Sequence, residues 1–485
     1  MNSNADSGVK QQSNLARAAE DHSLQRVPDG ERQSGWKLAL SPISVATALV
    51  LFAVGGFSIM LAGFSIGMVS GVVVAIIGVF LGKALGTIGF RTGVSSTVTS
   101  RIFGFGQKGS VLGSAIFAFM ILGFLALESA LLYEGTLVMF SLEDTLMTKV
   151  CIYGVLTLAW ILLAIFGLKL ALRASAIMTT ITLLVTVWLI IQIYVVQGTN
   201  PLDFFTYEGM VPGNGWAKFQ AAFGVMGATA GTIALVTMDF SRYARSDKDV
   251  SILAAAGPIT QNIIMTVLGG MVTVGAVPQV VDYLLARNAG MSPEEAGAVA
   301  GGYVMGNTGA FFVIFAGWLG FLTIYAAQAK AQAINAYSGS LTLVNIVDAL
   351  TGRRPGRPLM VVVGNVIALI MIAGGILGKF TEWLSYLGAM TFSMAAIMIV
   401  DFYIVRRGKY DPSSAKVENW NWAGLITMAI AASVGIALMV TGTFSIGFII
   451  SPFVVLIVYP ILRKLLPEGT ASSYAEANDV FEEAR

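Results

Sequence analysis

Two ionisable side chains lie deep inside apolar sequence. Lys330 sits in FLTIYAAQAKAQAINAYSGS, about 15 residues from either end of an apolar run, and Glu128 sits near the middle of MILGFLALESALLYEG. A charge at that depth costs several kcal/mol unless it has a partner or a watery cavity. The two are candidate partners for each other, since each alone is strongly disfavoured. A structural ion pair, and a role in carrying a proton or meeting a substrate charge, are both open for them. Around Lys330 stand Gln328, Gln332 and Asn335, spaced i, i+4, i+7 as one polar stripe of a helix. Small residues (Ala326, Ala327, Ala329, Ala331, Ala333 and Ala336) flank the stripe and let a helix or a ligand approach closely. Amides donate and accept, which suits the edge of a heterocycle carrying N–H and C=O groups; such a stripe also glues helices together. Phe124 is one turn before Glu128, an aromatic platform beside a carboxylate.

The elements that must position these groups are twelve apolar runs. They fall at about 38–66, 68–90, 111–140, 149–168, 174–197, 217–240, 252–277, 309–345, 358–378, 383–404, 420–441 and 443–463. The chain is 56% hydrophobic and 12% charged, against roughly 25% charged in a soluble domain, and its mean hydropathy is +0.78. A span takes about 20 apolar residues. Continuous runs without period-two alternation require helices rather than a barrel, so the fold class is all-α integral membrane. Alternate gaps hold fifteen Lys and Arg, from Arg91 and Arg101 to Arg407 and Lys416, while the others hold four (Lys149, Lys218, Arg287 and Lys379). That bias places the basic gaps, and both termini, on the cytoplasmic side of the cytoplasmic membrane. Lys83, near the end of the second run, reads as a side chain snorkelling to the interface.

Residues 1–36 are polar and read as a disordered cytoplasmic tail, 37–465 as one membrane domain, and 466–485 as a short cytoplasmic tail. One cysteine, Cys151, and one histidine, His22, exclude an intramolecular disulfide and a His-based metal site. No cofactor or metal is expected. Nothing points to nucleic acid, because topology accounts for the basic residues. No cluster of His, Cys and carboxylates forms a recognisable catalytic site, so an enzyme is not expected.

Two runs carry interruptions in corresponding places, five spans apart. The first holds Pro42, with Ser44 and Thr47 close by, and the sixth holds Gly224, Gly227 and Gly231. Broken helices in equivalent positions point to a midplane site between inverted repeats. Freed N–H and C=O groups then face substrate and ion.

Four patches resemble the purine–cytosine permeases of the nucleobase–cation symporter 1 group. They are GFRTGVSSTVTSRIFGFGQKGS (89–110), MDFSRYARSDKD (238–249), QAINAYSGSLTLVNI (332–346), and VDFYIVRRGKY (400–410) followed by NWNWAG (419–424), in family order across nearly the whole chain. The resemblance implies a leucine-transporter-type core with repeats at about 37–197 and 217–410, two extra helices at about 420–463, and alternating access. It places substrate between spans 1, 3, 6 and 8. By motif, Gln332 and Asn335 match two amide positions, Gly227, Ala228, Thr229 and Gly231 match the segment lining the base, and Ser44 to Ala48 fall near the first break. The chain departs from the pattern where cytosine permeases carry Gln and Trp on the third span; Ile121 and Phe124 stand there. Sodium-coupled members bind the ion between the first break and the eighth span, where Lys330 falls; its ammonium would replace the ion. Asp239 with Arg242 and Asp401 with Arg406 read as structural or gating pairs at cytoplasmic helix ends.

The function expected is therefore a secondary active transporter for a nucleobase or related small N-heterocycle, coupled to H+ or Na+ or uncoupled. Glu128 and Lys330 would handle charge and coupling. An amino-acid or amine permease of the same architecture is the nearest alternative, and a channel or a non-transporting sensor the more distant ones.

Overall fold

The computed structural model describes residues 26–288, 290–353, 355–410, 417–469 and 471–472. The first span is two helices, α1 (Gly35–Ala46) and α2 (Leu49–Ala62), bent by 66° at their junction. α3 (Phe64–Thr92) returns, the short α4 (Ser96–Ile102) runs between spans, and α5 (Ser110–Met139) is the third span. α6 (Leu146–Leu162) and α7 (Leu168–Ile191) follow, each extended by a π-helical turn, and then the short α8 (Pro201–Phe205). α9 (Gly215–Ser241) is the sixth span; α10 (Asp247–Ile259) and α11 (Met265–Gly275), joined by a π-helical turn at Thr260–Ile264, form the seventh. α12 (Val277–Arg287) and α13 (Pro293–Gly306) precede the long α14 (Thr308–Thr351), which kinks at Gly317. α15 (Arg357–Ala373), α16 (Phe380–Ile399), α17 (Trp422–Val440) and α18 (Ser451–Leu465) complete the order. Among the described residues ten helices are long and apolar enough to cross a membrane, the bent pair makes an eleventh, and α15 is a shorter apolar helix of 17 residues.

Packing obeys an exchange of the first five spans for the second five. The first span packs on the seventh, and its image under the exchange, the sixth on the second, is packed as well. The third packs on the eighth, which maps onto itself; the fifth packs on the eighth as the tenth packs on the third. An odd number of spans per repeat turns the second repeat over, so the repeats are inverted.

Several expectations are corrected. The first break falls at Thr47–Ala48 and not at Pro42, which lies inside α1. The sixth span is not broken: α9 runs unbroken through Gly224, Gly227 and Gly231. The helices α12 and α13 were not anticipated, although Ser292 followed by Glu295 is a capping box and forms one here. The tail expected through residue 36 is ordered from residue 26 onward. Gln33 N donates to Tyr243 O at 2.7 Å, Arg245 Nε to Arg32 O at 2.9 Å, and Gly35 N to Asp249 Oδ1 at 2.7 Å. Residues 1–25, 470 and 473–485 of the expected tails lie outside the described residues.

The α2–α11 crossing depends on absent side chains. A Cβ added to Gly55 would lie 2.6 Å from the Met265 carbonyl oxygen, and one added to Gly269 would meet the Phe52 carbonyl. Gly55→Val should therefore destabilise the protein by about 1–3 kcal/mol through overpacking. The expected result is a lower Tm for the purified protein in detergent; an unchanged Tm would show that the crossing can relax.

Candidate functional site

The helices form two packed sets. The first, second, sixth and seventh spans (α1, α2, α3, α9, α10 and α11) contact one another, and the third, fourth, eighth and ninth (α5, α6, α14 and α15) form the facing set. Between them lies a cavity of about 720 Å³. It extends from Glu128 and Lys330 at mid-span to Asp239, Arg242 and Asp348 on the side of the basic loops.

Of the residues expected from sequence, Ser44, Phe124, Glu128, Thr229, Lys330 and Asn335 line this cavity. Glu128 is buried, and its Oε2 accepts from Asn335 Nδ2 at 3.2 Å. The Phe124 ring is held edge-on to Trp383, with centroids 5.2 Å apart. Lys330 is 1% exposed. Its ammonium donates to Thr179 Oγ1 at 2.6 Å and to Thr47 Oγ1 at 3.3 Å. Thr47 is the residue capping the C-terminus of α1, and its own hydroxyl donates to Ser44 O at 3.0 Å. The ammonium thus rests at the carbonyl end of a half-helix, where the helix dipole favours a cation. Glu128 and Lys330, the candidate partners, make no contact ion pair; each group is held by neutral partners, and both line one cavity.

Six expected residues are not on the cavity wall; one is Thr47, which is turned to Ser44 O and Lys330. Gln332 is buried against α5, donating to Leu125 O at 3.0 Å and Ser129 Oγ at 2.7 Å. Trp160 Nε1 donates to the same hydroxyl at 3.2 Å, which joins three spans at one point. Gln328 is fully buried, with no hydrogen-bond partner for either amide atom among the described residues. At 3.6 residues per turn the three positions spread over an arc of about 60°, and only Asn335, on the side of Ala331 and Ser338, reaches the cavity. Gly227, Ala228 and Gly231 face the other way: Gly227 abuts Phe448, Ala228 abuts Gly388, and Gly231 abuts Thr391 and Phe392. The glycines of the sixth span serve close packing on α16 and the turn at Gly447–Ile450, not a break.

The paired acidic motifs clamp α4. Asp239 Oδ1 accepts from Ser96 N at 2.6 Å, at the N-terminus of α4, where a carboxylate is favoured. Asp401 Oδ2 accepts from Gly104 N at 2.9 Å just beyond its other end, and Arg406 Nε stands 3.4 Å from the same oxygen. Three polar residues of the site were missed in the sequence: Thr232 and Gln261 on the cavity wall, and Thr179, which accepts from the Lys330 ammonium. Thr179 and Thr232 look like any hydroxyl in an apolar run, whereas Gln261, in AGPITQNIIM, is as clear an amide signal as Gln328.

The chain matches no protein-family model and no curated protein. It is similar in structure to the inward-facing conformation of Mhp1, at 17% identity over 95% of this chain and 97% of that one, with a TM-score of 0.66. It is also similar to Mhp1, a nucleobase-cation-symport-1 family transporter, in a closed conformation with bromovinylhydantoin bound, at 17% identity over 94% and 98%, TM-score 0.65. A third likeness is to a substrate-bound, outward-open Na+-coupled sialic acid symporter, at 13% identity over 93% of each chain, TM-score 0.61. The fold is therefore of the leucine-transporter type, all-α and membrane-embedded, with five-plus-five inverted repeats and two further helices.

Because Gln332 holds α14 to α5 away from the cavity, Gln332→Leu should lower Tm, each lost hydrogen bond being worth about 1 kcal/mol. Solute affinity should stay within about threefold of wild type, a change below 1 kcal/mol. A large loss of affinity at unchanged Tm would put Gln332 in the binding site.

Proposed function

We propose that this chain is a secondary active transporter carrying a nucleobase or related small N-heterocycle across the cytoplasmic membrane by alternating access. The observation that carries the reading is the Glu128–Asn335 hydrogen bond on the wall of a 720 Å³ cavity, beside the ring of Phe124. A carboxylate and an amide side by side offer acceptors and donors within one flat edge, which is the chemistry a heterocycle with N–H and C=O groups meets. Phe124 offers an aromatic surface for the ring, and Ser44 and Thr229 flank it from the facing wall. Buried polar groups of this kind reject solutes that leave them unpaired. Mhp1 holding bromovinylhydantoin, a small N-heterocycle, supports the solute class.

The coupling follows from Lys330. Its ammonium stands at the break of the first span, bound to two hydroxyls, where a mobile cation would otherwise neutralise the carbonyl end of α1. A tethered cation makes transport independent of sodium, with Glu128 the mid-span group able to exchange a proton. The amine-permease reading also draws on Glu128, but that carboxylate is already engaged with a neutral amide, which favours the heterocycle.

Uptake into proteoliposomes tests both statements. Labelled uracil, xanthine and hydantoin should enter at rates unchanged when choline replaces sodium, and Glu128→Gln should weaken uptake about tenfold or more, since hydrogen bonds to charged groups contribute roughly 1.5–3 kcal/mol. Uptake of amines alone would sink the solute class. A sodium requirement that persists in Lys330→Ala would sink the coupling.

A further inference from the structure

Glu128 and Asn335 belong to one wall of the cavity, and the facing wall carries two buried polar atoms with no hydrogen-bond partner among the described residues. Gln261 is 3% exposed, lines the cavity, and has no partner for its Nε2 among the described residues. It lies in the π-helical turn Thr260–Ile264 that separates α10 from α11. Such turns rotate the residues after them relative to a regular helix and recur at functional sites. One helix away, Thr232 Oγ1 is also buried on the cavity wall, without a partner among the described residues. Its neighbours in α9 behave differently: Thr229 donates to Met226 O and Thr237 to Ile233 O, the usual way a helical threonine satisfies itself. Thr232 forgoes that bond, and its hydroxyl is left for something in the cavity.

We propose that Gln261 and Thr232 form a second reading edge for the transported solute. The solute class is then a flat heterocycle carrying hydrogen-bonding groups on two opposite edges, one edge read by Glu128 and Asn335 and the other by Gln261 and Thr232. This rests on the reading of the cavity as the transport site. The amide and the hydroxyl both donate and accept, so the second edge tolerates either polarity of N–H and C=O. The two edges sit on different packed sets of helices. A solute that bonds both walls therefore stabilises the arrangement in which the walls close on it, whereas a solute polar on one edge leaves the other wall's groups unpaired.

Equilibrium binding to the purified full-length protein tests this with matched probes. Xanthine is polar on both edges and 2-pyridone on one; tyramine is polar at both ends and phenethylamine at one. Gln261→Leu should weaken xanthine binding about tenfold or more and leave 2-pyridone within about twofold, and Thr232→Val should act in the same direction. Equal losses for both members of a pair, or no loss for either, overturn the proposal. If Gln261→Leu is not monodisperse, Thr232→Val decides. Should only the amines bind, the N-heterocycle reading fails, and the tyramine–phenethylamine contrast then judges the second edge by itself. A wild-type chain that binds none of the four overturns both.

Discussion

A helix can be interrupted at mid-bilayer only if protein groups take over the hydrogen bonds the interruption frees. In this chain the requirement falls on the junction of α1 and α2. Thr47 N and Ala48 N still reach Ile43 O and Val45 O at 3.1 and 3.0 Å, closing the last turn tightly. The Thr47 hydroxyl then serves Ser44 O and accepts from the Lys330 ammonium, which Thr179 also accepts. One side chain thereby ties the first, fifth and eighth spans together at the inner end of the cavity. Burying an ammonium is costly, and two hydroxyls together with the negative end of a half-helix offset that cost.

The inverted repeat makes the sixth span the counterpart of the first, yet only the first is broken. The difference has a physical source in what surrounds each helix. α2 meets α11 through glycines on both helices, so the backbones approach and the turn before α2 is enclosed. The glycines of α9 are instead filled by Phe448, Thr391 and Phe392, and a helix packed that closely on one face gains nothing by opening. The polar groups that a second break would have exposed are replaced by side chains. Thr229 and Thr232 come from α9 itself, and Gln261 comes from the π-helical turn of the neighbouring seventh span. Two routes, a broken helix and a widened turn, bring polarity to the same depth on the same wall.

The twelve-span pattern was legible because apolar runs of span length have few alternatives, and Glu128, Lys330 and Asn335 were legible because ionisable and amide groups are rare there. What the sequence could not show was direction around the helix. Gln328 and Gln332 share the chemistry of Asn335 but point into protein, since a stripe spaced i, i+4, i+7 still turns through an arc wide enough to leave a cavity's edge. Glycine was misleading for a related reason. It marks both places where a helix opens and places where another helix comes close, and in α9 the second use prevailed. The motif residues Asp239 and Asp401 were legible as structural but not in their target, because the N–H groups they accept from lie at the start of a short helix and just past its end, more than a hundred residues away in sequence.

The position of Lys330 constrains how energy could enter the proposed cycle. A mobile ion couples transport to its gradient by binding one conformation, leaving from another, and so carrying charge across. In the proposed cycle an ammonium fixed to α14 would perform the neutralising half of that task but not the second, because it never leaves. Any coupling must then pass through a group that exchanges with solvent. At the mid-span end of the cavity the proposal gives that role to Glu128, whose hydrogen bond comes from a neutral amide. A carboxylate so placed can gain or lose a proton without breaking a contact ion pair, and Asn335 can turn its amide to suit either form. The separation of the two groups, which first reads as a failed salt bridge, would in that cycle leave one of them free to exchange a proton while the other stays in place.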